Sequence, residues 1–388
     1  MKFSFVFFLA IAFFIGCAQG HTSEDNTTSS ASDSHMENGR LQIMTSVFPQ
    51  YDFIRQIAGD RVDLSMMISP GGEPHAFEPS PRDIIALNNA DLIVYVGGHG
   101  EAWVDLILNS LEQPGLRRIA LMNLVDVVYT DIVEGMEHDH DHGHSHGHGH
   151  GDGHHHDDHD DHHHDDHSHN NDDHHHDDHS HDNDDHHHDD HSHDHDDHHH
   201  DDHSHDHHDH HHEEYDEHVW TSPRNAITIV RALTEILAEL DPDNTDFFRG
   251  NSAAFIAELE ALDRAFAEVV ANSSRNTVVF GDRFPFRYLM DAYGINYFAA
   301  FPGCSAETQA SPGTIAFLID KVNAENIPVV FYTEFSARTI ANVIVEATGA
   351  QPMQLHSAHN VSVADFNSGR TYIEIMQFNL EHLREALN

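Results

Sequence analysis

Three short blocks place imidazoles where they could bind a divalent cation. Pro74-His75-Ala76-Phe77-Glu78-Pro79-Ser80-Pro81 is one, Glu217-His218-Val219-Trp220-Thr221-Ser222-Pro223 the second, and His356-Ser357-Ala358-His359-Asn360 the third. Neutral imidazole is a borderline-soft donor that suits Zn²⁺ at about 2.0–2.1 Å. Thiolate chemistry is nearly closed to this chain, which has two cysteines, Cys17 and Cys304. The first sits in a processing site described below, so metal binding falls to His, Asp and Glu. Gly303-Cys304-Ser305 invites a nucleophile reading, but no GxSxG elbow or paired base accompanies it, and a small thiol lining a crevice is expected. No phosphate-binding loop is present either.

A second concentration of donors is of another kind. Residues 138–212 hold 37 of the 45 His, together with 25 Asp and no Lys or Arg. A near-perfect twelve-residue repeat, HHHDDHSHNNDD, starts at His162, His174, His186 and His198. With no aliphatic or aromatic side chain to bury, such a segment is expected to be disordered without metal. Interleaved imidazoles and carboxylates offer many weak, exchangeable coordination sets, which fits a zinc reservoir or a sensor of zinc excess. His193-Asp194-His195-Asp196-Asp197-His198 also matches the HxHxDH pattern of dinuclear hydrolases, but a repeat made of His and Asp matches it by composition alone. This segment contributes much of the formal net charge of -49, from 18 Lys and Arg against 67 Asp and Glu. That acidity argues against nucleic acid as a partner.

Regular alternation of strands and helices positions the three blocks. Strands are expected over Leu41–Phe48, Val62–Ile68, Asp91–Val96 and Leu116–Leu121, with helices over Tyr51–Ala58, Pro81–Asn89 and Glu101–Leu111. Pro223–Leu240 reads as a helix ended by Asp241-Pro242, and Asp243–Ala271 as a long amphipathic one. A second alternating set follows: strands Thr277–Phe280, Asn296–Ala299, Val329–Tyr332 and Met353–Leu355, and helices Arg287–Ala292, Pro312–Asn323, Ala337–Ala347 and Arg370–Leu387. The fold class is therefore α/β: two Rossmann-like lobes with parallel sheets, 41–242 and 273–388, joined by a single long linking helix, 243–272. His75 and His218 then lie in loops beyond the strands of one lobe, where open α/β sheets form their ligand crevice.

The amino terminus fixes the expected compartment. Met1-Lys2 precede an apolar run, Phe3–Ile15, too short for a permanent transmembrane helix and typical of a secretory signal. It ends at Gly16-Cys17, a lipoprotein-type cleavage site at which Cys17 would be lipidated, giving a signal segment 1–17. Residues 18–40, rich in Ser, Thr, Asp and Asn, read as a flexible tether.

Taken together, the blocks resemble those of the metal-specific solute-binding proteins of ABC importers, the cluster that includes the high-affinity zinc uptake receptors. The resemblance covers residues 41–388, including the His-rich acidic segment just before the second His block, the Asp241-Pro242 breaker, the long helix and Asn379-Leu380. It implies that His75 and His218 are the first-lobe metal ligands. It also implies a ligand from the loop after the last strand, where His359 falls nearest the aligned position and His356 is the alternative. The second lobe departs from the pattern. Gly281-Asp282-Arg283-Phe284-Pro285-Phe286-Arg287-Tyr288 puts Arg283 where many members carry His or Glu, and a guanidinium cannot bind a cation. Asp282 beside it either substitutes as ligand, or pairs with Arg283 or caps the next helix. Glu334 is expected to point into the crevice and orient a ligand imidazole.

The implied function is not enzymatic. It is a monomeric, extracytoplasmic receptor, lipid-anchored in the cell envelope outside the cytoplasmic membrane, that takes Zn²⁺ as its transported ligand. It would deliver the ion to the membrane permease of an ABC importer whose ATPase is separate. The rival readings are a manganese or iron receptor of the same family, a secreted zinc-dependent hydrolase, and a zinc-storing adhesin.

Overall fold

A computed structural model describes residues 39–74, 77–111, 113–136, 214–303 and 310–388. His75, Cys17, Cys304, the signal segment and the His/Asp-rich segment 138–212 lie outside the described residues. Four short parallel strands form the first sheet: β1 (Leu41–Thr45), β2 (Val62–Met66), β3 (Leu92–Tyr95) and β4 (Arg117–Ala120), in the order β2-β1-β3-β4. Helices α1 (Phe48–Ala58), α2 (Pro81–Asn88) and α3 (Ala102–Ser110) are its crossovers, and α4 (Pro223–Leu240) follows the second His block. The second lobe repeats the plan with β5 (Thr277–Phe284), β6 (Asn296–Pro302), β7 (Val329–Tyr332) and β8 (Gln351–Gln354), all parallel in the order β6-β5-β7-β8. Strand order reverses at β1/β3 in one lobe and at β5/β7 in the other, so each sheet has a crevice at the carboxyl ends of those strands.

Local sequence explains the helix limits. Pro223 at the first turn of α4 needs no N–H partner, and Ala226, Ile229, Val230, Leu233, Ile236 and Leu237 recur at helical spacing and are all buried. Asp241-Pro242 then ends the helix in a short 3₁₀ turn, and the long α5 begins at Thr245, two residues later than the pattern predicts. Helix α5 (Thr245–Ala271) spans about 40 Å at 1.5 Å per residue. It buries Phe248, Phe255, Leu259, Leu262 and Phe266 against α1, α4 and the carboxy-terminal helix. In the second lobe α6 (Arg287–Tyr293), α7 (Pro312–Glu325), α8 (Thr339–Thr348) and α9 (Val363–Ser368) precede α10 (Tyr372–Leu387). Thr371 and Glu374 cap α10 reciprocally through each other's backbone N–H groups.

One apolar core runs through both lobes. It takes in Ile43, Phe48 and Trp220 from the first, Phe248 and Phe266 from α5, and Phe280, Phe331 and Tyr372 from the second. Smaller clusters lie between each sheet and its outer helices, around Val104 and Leu108 in one lobe and Leu318 and Ile344 in the other. An isolated antiparallel bridge between Tyr129 and Tyr215 brings together the chain on either side of the His/Asp-rich segment, with the two exposed rings stacked at 4.5 Å.

Candidate metal centre

His218 is reached by an extended chain that Val128 and Tyr288 hold in place. Asp216 donates its N–H to the Val128 carbonyl at 2.8 Å, and the Tyr288 hydroxyl donates to the Asp216 carbonyl at 2.7 Å. Buried Asp216 then turns back on His218: its Oδ1 accepts the His218 backbone N–H at 2.9 Å and lies 3.1 Å from Nδ1 of the ring. A carboxylate on Nδ1 holds the ring proton there and puts the lone pair on Nε2, the arrangement that orients metal-binding histidines. A 3₁₀ turn, Val219–Thr221, carries the chain into α4.

Trp220 joins this histidine to the far loop. Its Nε1–H donates to the Ser357 carbonyl at 2.8 Å. Its ring lies 5.5 Å from that of His218 and 5.0 Å from that of His359. The two imidazoles themselves stand 5.4 Å apart, centroid to centroid, at 86°. A ring centroid sits ~3.2 Å from an ion it coordinates, so two imidazoles at tetrahedral positions stand ~5.2 Å apart. The observed spacing fits one ion shared by both.

Glu334, just beyond β7, completes this side. Its carboxylate accepts the Ser357 N–H at 2.7 Å and also the Ser357 hydroxyl. With about four lone-pair sites on a carboxylate, two remain for a cation. His218, His359, Glu334, Ser357, Asn360, Arg283 and Glu73 line one cavity of about 50 Å³. That is room enough for an ion and a water. Among the described residues no three His, Cys, Asp or Glu side chains form a complete metal cluster.

The other expected donors are placed differently. Asp282 lines the adjoining cavity of about 280 Å³, not the one that His218 and His359 share. Its Oδ1 accepts the Arg283 backbone N–H at 2.8 Å, and Oδ2 accepts the Thr333 N–H at 2.9 Å and hydroxyl at 3.0 Å. It neither caps α6 nor pairs with the Arg283 guanidinium. The reason lies in β5, which runs on to Phe284 and carries a bulge between Phe280 and Arg283. Gly281 is required there, because a Cβ would fall 2.5 Å from the Ala341 backbone. Arg283 reaches the shared cavity and lies 3.6 Å from Glu73 across the cleft. His356 is buried beneath the loop and does not line the cavity: its Nδ1 accepts the Ala358 N–H at 3.0 Å. Asn379 clasps its backbone at 2.8 and 2.7 Å, and burial lowers its pKa, keeping the ring neutral. Asp216, Trp220 and Asn360 were not singled out from sequence; an acidic residue two before His218 was the available signal for the first.

A family model described as zinc-uptake complex component A, periplasmic, matches residues 43–386. The zinc-binding lipoprotein AdcA of Streptococcus pneumoniae is 26% identical over 92% of this chain, which spans 57% of that relative's length. The high-affinity zinc uptake system protein ZnuA of Bacillus subtilis is 26% identical, with 100% of this chain and 98% of that one covered. In structure, the Zn(II)-bound ZnuA-like domain of Streptococcus pneumoniae AdcA superposes with a TM-score of 0.60 at 23% identity, over 90% of this chain and 99% of that one, which establishes a shared fold.

Proposed function

Since the chain belongs to the family of component A of zinc-uptake complexes, we propose that it is an extracytoplasmic receptor that binds one Zn²⁺ between its lobes and passes it to an ABC importer. The observation that carries this reading is the His218–His359 pair, at a spacing suited to one tetrahedral ion in an ion-sized cavity. His75 supplies the third imidazole in this reading. A Glu334 oxygen is the fourth donor in place of Asp282, whose two oxygens already accept three hydrogen bonds. Three imidazoles and one carboxylate favour zinc over manganese, which prefers oxygen-rich sites. Here zinc is cargo, so the site must release it.

Lipidation at Cys17 would hold the receptor at the outer face of the cytoplasmic membrane, and a permease with a separate ATPase would receive the ion. Chains named zinc-binding lipoprotein and zinc uptake system protein among the relatives support that placement. No helix of the described residues is long and apolar enough to cross a membrane.

The test uses protein lacking residues 140–212, which removes the many weak sites. It should bind one zinc, with X-ray absorption reporting mostly nitrogen donors and zinc displacing manganese in competition dialysis. Changing either His218 or His359 to Ala should weaken binding by roughly 100-fold or more. A double variant that holds zinc as tightly as its parent would overturn the reading.

A further inference from the structure

We infer that Asn360 is a positioning residue that clips the loop bearing His359 to the turn leading into His75, making the histidine side of the site one rigid body with the first lobe. This rests on the zinc-receptor reading above. By sequence the loop belongs to the second lobe, since it follows β8. By hydrogen bonding, its far half belongs to the first.

The turn is Ser69-Pro70-Gly71-Gly72. Gly72 donates its N–H to the Ser69 carbonyl at 2.9 Å, and Gly71 has φ +79°, the type II geometry that Pro at the second position and Gly at the third allow. Asn360 is 1% exposed. Its Nδ2 donates to both ends of that turn, to the Ser69 carbonyl at 2.9 Å and the Gly72 carbonyl at 2.8 Å. Its Oδ1 accepts the Val361 N–H at 2.8 Å, so both amide hydrogens and the oxygen are engaged. Next to this clip, Gly71 donates to the Val361 carbonyl at 2.8 Å and Phe48 to the His359 carbonyl at 3.3 Å. With Trp220 on Ser357, that makes five hydrogen bonds from residues 357–361 to the first lobe.

The residue type is demanding. Asp in place of Asn360 would point a carboxylate at two carbonyl oxygens, and Ala would remove both bonds, leaving the Gly72 carbonyl without this donor and the loop without its tie to the turn. Gly72 leaves two residues, Glu73 and Pro74, before His75. Slack in the loop would pass directly to His359, the residue immediately before Asn360 in the chain. Preorganisation of donors governs how long an ion is retained rather than how fast it arrives.

The experiment follows tryptophan emission in the full chain carrying Trp103→Phe, which leaves Trp220 as the one emitter, its indole lying against both histidines. Zinc-loaded protein is mixed with excess chelator and the slow release phase timed. Asn360→Ala should release zinc at least ~10-fold faster than wild type, with far-UV circular dichroism intact. Should Asn360→Ala fail to fold, Asn360→Ser, which cannot reach both carbonyls, takes its place. Release at the wild-type rate in these variants, while His359→Ala abolishes the Trp220 response, overturns the clip and leaves the receptor reading standing. If His218→Ala and His359→Ala both retain the response, the zinc site and the clip fall together.

Discussion

Behind His218 lies a pair of buried carboxylates, Glu217 and Glu101. Glu101 Oε2 accepts the Val96 N–H at 2.6 Å, while Oε1 is buried without a partner. Burial pushes Glu101 from 4.5 up to about 7; the nearby Glu217 carboxylate adds to this, and donors from Ser46, Val96 and Gly97 oppose it. Because the folded value is the higher one, Glu101 contributes stability that is full below pH 4.5 and lost as pH rises through about 7. Urea denaturation of zinc-free Glu101→Gln should therefore gain on wild type by up to ~3 kcal/mol between pH 4.5 and 8. A gap that stays constant across that range would show that Glu101 ionises in the folded state as it does in water. At this scale the sequence put forward His218 and His359 through the blocks that hold them, and the structure sets the two rings 5.4 Å apart. It also put forward Asp282, which the structure sets in the adjoining cavity beside a one-residue bulge in β5 that composition does not reveal. The hydrogen bond from Trp220 to Ser357 joins residues 137 positions apart, and nothing local signals such a contact.

Among the elements, α5 was the most legible, since its aromatic residues recur at helical spacing over its whole length. Phe266 is fully buried there and stacks on Tyr293 with centroids 5.3 Å apart. Phe266→Ala should cost about 3–5 kcal/mol of unfolding free energy, measured by denaturant titration, through lost burial and the cavity left behind. A loss under 1 kcal/mol would mean that α5 is not fixed by this contact. Legibility fell where elements were short or their ends were set by tertiary contacts. Helix α9, six residues with no buried side chain, left no apolar period to detect. Helix α1 begins at Phe48, three residues before its polar-apolar pattern suggests, because Gln50 Oε1 accepts the Val47 N–H at 2.9 Å. Strand β5 continues past Phe280 to Phe284, where its bulge interrupts the alternation.

For the whole molecule, the repeated strand order suggests two halves that could act separately, but the packing argues otherwise. Asp52 of α1 accepts the Tyr372 N–H of α10 at 2.7 Å, and the Tyr372 hydroxyl donates to the Trp220 carbonyl at 2.6 Å. Both lobes thus share α5, α10 and a single core. Calorimetry of the zinc-free protein should show one transition with equal calorimetric and van't Hoff enthalpies; two resolved peaks would mean that the lobes melt independently. That common interior makes heat an occupancy gauge. On the proposed reading an ion between the histidines binds the folded chain alone, so zinc at 1,000 times its Kd adds about 4 kcal/mol to the stability of the whole. Ions held equally well by the folded and the unfolded chain add nothing, and a melting curve would therefore count the one tightly held ion and ignore the many loose ones.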